Sequence, residues 1–437
     1  MAGANEGIGS NAASLTRIEG FRVEYIGKED IMGLASPSFE TASTKSVIHA
    51  AAFSPVYSGN FIASLRAAAA ECRRLGIRPV WVFPEEAKAR DWFSQFCAET
   101  EAACYVLPRR KGHLKYAVEL AHIARKENAA IIHTHFSRYD IAAWLAKAIC
   151  ALDGKRVEVI WHVHSAFPPR TNCVRLAMDV VKLALMGRAC HMVPVCEDLG
   201  RSLVRRGCPA GSIHLVSNGI DIAHATQKSS APAEVRRDLM ISDDSVVLLG
   251  FGWQPIRKGV DTMLEALDDL IQGGMKAVLV LVGTNDDLKH YVDKWPSPSL
   301  KSSVRVVGGT EFVSDLYRAA DVFISASRYE GWCYSVAEAM LNDIPVASTD
   351  IPALSWAADA PGVFFFKPGD GPALAQVIRR VARMSDHDRR ETSELGRTFV
   401  SDRYSAQRWA QSITSLYEEL LRCDGTRARF PTRERTL

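Results

Sequence analysis

Across 437 residues, no apolar run reaches the roughly 18 residues that a membrane-spanning helix needs, so none is expected. The opening stretch MAGANEGIGSNAAS has neither a basic segment nor an apolar core and does not read as a signal peptide. No C-x-x-C pair occurs. The ten cysteines are scattered, as in a reduced cytosolic protein with mostly buried thiols, which argues against a disulfide framework or a zinc ribbon. Charge of one sign is not in large excess, the net value being +3, and no basic–aromatic recognition motif appears, so nucleic acid is not an expected partner. No internal repeat is evident. What is present is the composition of a soluble globular enzyme, 47% hydrophobic and 24% charged. The length suits two or three domains of roughly 150 residues each.

The small net charge conceals an asymmetry. Residues 45–220 hold 24 Lys and Arg against 14 Asp and Glu, whereas residues 221–437 hold 26 against 30. A basic first half suits an anionic lipid carrier, an acidic polymer or a membrane surface; ordinary scatter is the alternative. Residues 1–44, rich in Gly, Ala and Ser, read as an extension with one short strand at FRVEYIG and a disordered first dozen residues.

From residue 45, short Val- and Ile-rich runs alternate with helical patterns. Strands are expected at 45–52, 79–84, 104–108, 129–136, 158–164 and 191–196, with helices such as 61–75, 114–127 and 173–188 between them. The pattern restarts with strands at 245–252, 276–283, 303–309, 321–327, 345–350 and 362–366, and helices including 259–270 and 336–341. The expected fold is therefore α/β: two doubly wound Rossmann-like domains facing across a cleft. The first spans 45–221, the second 222–405, and 406–437 forms an amphipathic helix that packs back, followed by a basic tail. Ligands of such sheets bind beyond the carboxyl ends of the strands, and a cleft between two domains is a favoured site.

The most informative stretch is DVFISASRYEGWCYSVAEAMLNDIPVAST at 321–349. A buried strand leads through Glu330-Gly331 into a helix that starts near Ser335. Its free N–H groups and dipole suit a phosphate. Ser335 is a candidate cap or phosphate donor, Glu338 a carboxylate suited to ribose hydroxyls, and Glu330 an acceptor for sugar hydroxyls.

The Glu330–Glu338 spacing, E-x7-E, resembles the signature of the retaining glycosyltransferases of family 4, which have the GT-B fold. VSNGID (216–221), FGWQPIRKGVDTMLEAL (251–267), LVGTN (281–285), VVGG (306–309) and LYRAADVF (316–323) resemble further elements of that family, in its order. The resemblance covers about residues 45–421. It implies retaining transfer from a nucleotide-diphosphate sugar to a saccharide or lipid-linked acceptor, with no other cofactor and no metal. By the same resemblance Glu338 holds the ribose, Glu330 lies near the sugar or diphosphate, and Lys258, seconded by Arg257, neutralises the leaving diphosphate. Gly252, Gly309 and the backbone of Trp332, Cys333, Tyr334 and Ser335 complete the nucleotide site. Preplaced cations and N–H dipoles favour a transition state in which that diphosphate gains charge.

One position departs from the family. Its Arg directly after the glycine is Trp253 here, which removes a bidentate phosphate clamp. Another cation substitutes, the donor differs, or turnover is lost. The alternatives to a transferase are accordingly a transferase-like binding or scaffold protein and a nucleotide-sugar epimerase on the same fold.

In the first half, His133 and His135 end one strand and His162 and His164 end another. Alternate spacing puts each pair on one face of the sheet. By resemblance His164 lies near the donor sugar and His135 matches the family's H-x-H element, while His133 and His162 read equally as structural. The two strands offer no clear carboxylate partner, so no metal site is expected. Gly59, in the loop SPVYSGN, is read as a donor-sugar or acceptor contact, and Arg138 and Arg170 as candidates for an anionic acceptor or as solvated surface. The amphipathic helix at 173–188, with Trp144 and the basic run 109–111, offers a membrane or carrier-lipid contact if its apolar face is not core. The expected location is cytoplasmic, peripheral at the inner face of the membrane.

Overall fold

A computed structural model of the protein describes residues 24–26, 45–109, 112–167, 173–283 and 286–422. Most of the expected N-terminal extension, Arg110, Lys111, Arg170, the 284–285 end of LVGTN and the basic tail lie outside the described residues.

Two sheets form the framework. The first contains β1 (Glu24–Ile26), β2 (Ser46–Ala51), β3 (Arg78–Pro84), β4 (Ala103–Leu107), β5 (Ala129–His135), β6 (Glu158–Val163) and β7 (His191–Pro194), in the order β1-β4-β3-β2-β5-β6-β7. The second contains β8 (Val246–Phe251), β9 (Ala277–Val282), β10 (Val304–Val307), β11 (Val322–Ser325), β12 (Val346–Thr349) and β13 (Val363–Phe366), in the order β10-β9-β8-β11-β12-β13. All pairings are parallel except β1 with β4. Without its antiparallel edge, the first sheet has the same order as the second. Strands such as β2 and β9 are buried along their whole length, as parallel strands covered by helices on both faces must be.

The shared order fixes where ligands go. The chain reverses direction of travel across the sheet between β2 and β5, and again between β8 and β11. The loops after those strands part there and leave a crevice.

The helix Ala406–Arg422 follows the second sheet but packs on the first. Its Trp409, Ile413, Leu416 and Tyr417 are buried in one cluster with Phe61, Leu65, Trp81 and Ile131. Where the chain crosses back, Ile220 donates its N–H to the Tyr404 carbonyl and accepts from the Ala406 N–H. Among the described residues no helix is long and apolar enough to cross a membrane.

Candidate active site

After β8, Gly252 and Trp253 lead into the short helix Pro255–Lys258. Gly259 follows at φ +67°, and a Cβ there would lie 2.1 Å from the Ala326 carbonyl oxygen. Only glycine fits, and its absent side chain lets the segment carrying Lys258 lie against the loop after β11. That loop carries Ser327 and Glu330. Lys258 Nζ lies 2.6 Å from Glu330 Oε1, and Arg257 Nη2 lies 2.6 Å from Glu330 Oε2. Ser327 Oγ donates to Oε1 at 2.8 Å. Burial opposes ionisation of Glu330, but the Lys258 and Arg257 charges and the hydrogen bonds outweigh it and hold the carboxyl below its usual range.

Trp253 is 40% exposed, stacks on Phe251 and lies face-on to Lys258, whose Nζ is 4.8 Å from the ring centroid. The residue standing where a second phosphate cation is expected thus covers the first one through a cation–π contact.

The helix Tyr334–Leu341 begins at Cys333, whose φ of +70° turns the chain sharply and leaves no side-chain cap on the first N–H groups. One turn in, Glu338 is gripped from two directions. Tyr317 donates to Oε2 at 2.9 Å, and Asn60, from the first domain, donates to Oε1 at 2.6 Å. Burial pushes this carboxyl up, against those two hydrogen bonds and the Lys258 charge. Asn60 also accepts from the Asp221 N–H at 3.3 Å, and Tyr57 donates to the Gly309 carbonyl at 2.7 Å. Tyr57, Asn60, His224, Glu311 and Glu338 line a small cleft of about 60 Å³ between the sheets. On the other flank, Gly331 meets His164: a Cβ on Gly331 would fall 1.9 Å from the His164 carbonyl oxygen.

Two family models match the chain, glycosyltransferase family 4 over residues 63–224 and glycosyl transferases group 1 over residues 244–384, together most of its length. The chain belongs to this glycosyltransferase family. N-acetyl-alpha-D-glucosaminyl L-malate synthase of Bacillus anthracis is 22% identical over 320 residues, which cover 71% of this chain and 80% of that protein. Alpha-galactosylglucosyldiacylglycerol synthase of Streptococcus pneumoniae is 22% identical over 259 residues, 55% of this chain and 68% of that one. Among solved structures, a glycosyltransferase from Rickettsia africae ESF-5 superposes with a TM-score of 0.72 at 16% identity, covering 87% of this chain and 100% of that one. Anabaena Alr3699/HepE in complex with UDP gives 0.70 at 17% identity, covering 86% and 100%. The GT-B fold expected from the sequence is the fold observed, and the matched families favour a transferase over the epimerase alternative.

The glycosyltransferase brings part of its sequence-singled set to one cleft. Lys258 and Arg257 touch Glu330, Glu338 and Gly59 line the pocket, and the Gly309 carbonyl holds the pocket residue Tyr57. Gly59 has φ +56° and opens the helix Gly59–Arg74. Other residues are placed differently from the expectation. His135 is fully buried, its ring nitrogens facing His49 at 3.1 Å and His164 at 3.2 Å, so it backs His164 instead of lining the cleft. Arg138 turns toward Glu86, 4.0 Å away. The space beside Gly252 is filled by Leu288, 2.6 Å from where its Cβ would stand. The Trp332 ring is buried, stacked 4.6 Å from Trp356, and its carbonyl accepts from the Trp356 indole. The Ser335 hydroxyl lies 3.3 Å from the Cys333 thiol. His164 is half-buried; burial depresses its pKa to about 3, against a hydrogen bond with Asn218.

Sequence reasoning missed Tyr57, Asn60, Tyr317 and His49. Tyr57 and Asn60 flank Gly59 in a loop already singled out, and Tyr317 lies within LYRAADVF. Only long-range proximity gives them a role.

Proposed function

We propose that this glycosyltransferase transfers a sugar, with retention of anomeric configuration, from a uridine-diphosphate sugar to a saccharide or lipid-linked acceptor. The observation that carries the reading is the pair of cations, Lys258 buried and Arg257 partly exposed, on the buried Glu330 beside the doubly gripped Glu338. Two cations on one carboxylate leave a local surplus of positive charge in a site largely shielded from water, where a diphosphate is strongly favoured. Lys258 and Arg257 meet the charge that grows on the leaving diphosphate, and the uncapped N–H groups of the helix Tyr334–Leu341 add to it. In this reading the diphosphate needs no divalent ion. Glu338 takes the ribose hydroxyls, exchanging the Asn60 amide for them. His164 lies across the cleft, near the transferred sugar. The uridine assignment draws on Anabaena Alr3699/HepE, which binds UDP and UDP-glucose.

The acceptor side is the basic first domain. The helix Cys173–Ala189 exposes Met178, Val181 and Leu185, spaced three and four residues apart on one face. Such a stripe beside basic side chains suits peripheral contact with an anionic cytoplasmic membrane leaflet that presents the acceptor.

Thermal unfolding with a panel of nucleoside diphosphates tests the donor site. A hundredfold excess of UDP over its dissociation constant adds roughly 2.7 kcal/mol of stability. The expected result is a selective upward shift with UDP that shrinks in Glu338→Gln. Absence of a shift with every nucleotide turns the reading toward a transferase-like binding protein, with Trp253 as the departure that emptied the site.

A further inference from the structure

One face of the first sheet carries five histidines. His49 on β2 pairs in register with His133 on β5, and His135 pairs with His162 on β6; His164 follows just beyond. The first four are fully buried. They lie beneath the helix Ala406–Arg422, whose Tyr417 hydroxyl is 2.5 Å from His133 Nδ1 and 3.3 Å from His49 Nε2. His135 joins His49 (Nε2 to Nδ1, 3.1 Å) to His164 (Nδ1 to Nε2, 3.2 Å), and His133 Nε2 meets His162 Nδ1 at 3.1 Å.

A neutral imidazole has one N–H and one lone pair. Donor-to-acceptor bonds can therefore run in one sense only along the series His164, His135, His49, Tyr417, His133 and His162, and when they start from His162 Nδ1–H its Nε2 is left as a bare lone pair. That chain ends badly, because His162 Nε2 is buried and has no partner. A buried ring nitrogen without a partner needs an explanation. One nitrogen each of His135, His162 and His164 lies within 4.8 Å of the other two.

We propose that His135, His162 and His164 bind a divalent d-block cation, zinc in the first instance. Three neutral imidazoles are a fitting donor set for such an ion. Two nitrogens on a tetrahedral zinc stand roughly 3.3 Å apart, given bonds of about 2.0–2.1 Å, which matches the His135–His164 separation. The ion takes the lone pair of His162 Nε2. The N–H groups on the far side of His135 and His162 then donate to His49 and His133, and both of those arms converge on Tyr417. That is the outer support a metal-bound imidazole needs. His164, half-buried at the cleft edge, gives the path of entry. The site lies in the first sheet, apart from the Lys258–Glu330 cluster, and shares with the donor reading only His164, whose side chain the ion would hold at the cleft edge.

The test uses the full chain, stripped with a chelator and titrated with Co2+, with visible absorption as the readout. The expected result is one tetrahedral cobalt band per chain, displaced by Zn2+, lost in His162→Gln and kept in His191→Gln, which alters the separate His191–His214 pair. Tyr417→Phe keeps the three ligands and, acting only through His49 and His133, weakens cobalt binding by up to about 10-fold. A wild-type chain that gives no band and retains no zinc overturns the proposal, as does a band that survives His162→Gln. Should His162→Gln fail to fold, the wild-type and Tyr417→Phe titrations decide. The nucleotide thermal shift is measured separately, so failure of either reading leaves the other standing.

Discussion

The two sheets share a strand order and differ in what they place at the switch point. Where β8 and β11 part, the second sheet holds paired charges: Lys258, Arg257, Glu330 and, one helix turn away, Glu338. Where β2 and β5 part, the first sheet holds imidazoles and a phenol, packed under the apolar face of an amphipathic helix. The topology makes a crevice in both cases. Its chemistry comes from which residues end the strands: ammonium, guanidinium and carboxylate groups in one half, neutral imidazoles in the other.

Breaking the charged half has the largest expected effect. Lys258→Ala leaves Glu330 buried with one partner fewer, which typically costs about 3–5 kcal/mol when a buried pair loses one member. Turnover of a UDP-sugar donor should fall by about 10²–10³-fold, the usual loss when one preplaced group for a growing anion is removed. Turnover within threefold of wild type would rule Lys258 out of that role.

The first half is tested by Asp140, a fully buried carboxyl. Asp140 accepts from Thr134 at 2.6 Å, and burial pushes its pKa up to about 7, against that bond and the Lys182 charge. The unfolded chain releases this proton near 3.8, so between the two values the folded state holds a proton that the unfolded state has lost. Stability therefore falls as pH rises through that window, by roughly 1.4 kcal/mol per pH unit. Asp140→Asn should remove the slope, as read from urea midpoints at several pH values; an unchanged slope places the titration elsewhere.

The contact between the halves comes next. Gly331→Ala drives a methyl into the His164 carbonyl and should cost about 1–3 kcal/mol, seen as a lower melting temperature. Asn60→Ala frees Glu338 from its competing donor, worth about 1 kcal/mol, and should tighten UDP about fivefold in calorimetry. Weaker binding would mean that Asn60 orients Glu338 instead of competing for it. The smallest effect belongs to Trp253→Ala, which removes a cation–π contact of about 0.5–1 kcal/mol at a partly exposed site and should change UDP affinity only a few-fold.

Much of the framework was legible in the sequence. The twelve parallel strands fall on the expected Val- and Ile-rich runs, β3 and β4 starting one residue earlier, because a strand buried on both faces is largely apolar. The Glu330–Glu338 spacing and the Lys258-Gly259 element pointed to the cleft because each depends on a local backbone requirement. The helices 85–89 and 91–100 lacked a strong enough pattern, and the edge strand β1 appeared only as a short apolar run with no stated partner. The unread part of the site is long-range. Asn60 meets Glu338 across 278 residues and Tyr417 meets His133 across 284, and no local periodicity encodes such meetings. The placement of Trp253 over Lys258 was also hidden: the sequence showed a missing arginine, and the fold shows an aromatic lid on the remaining cation.

The return of the last helix to the first sheet has a mechanical consequence. Two strands of chain, at Ile220 and Ser405, run side by side between the halves and are hydrogen-bonded to each other. A single-strand tether would let one half swivel freely about the other. A doubled tether resists twisting more than bending, which confines relative motion of the halves toward a single plane.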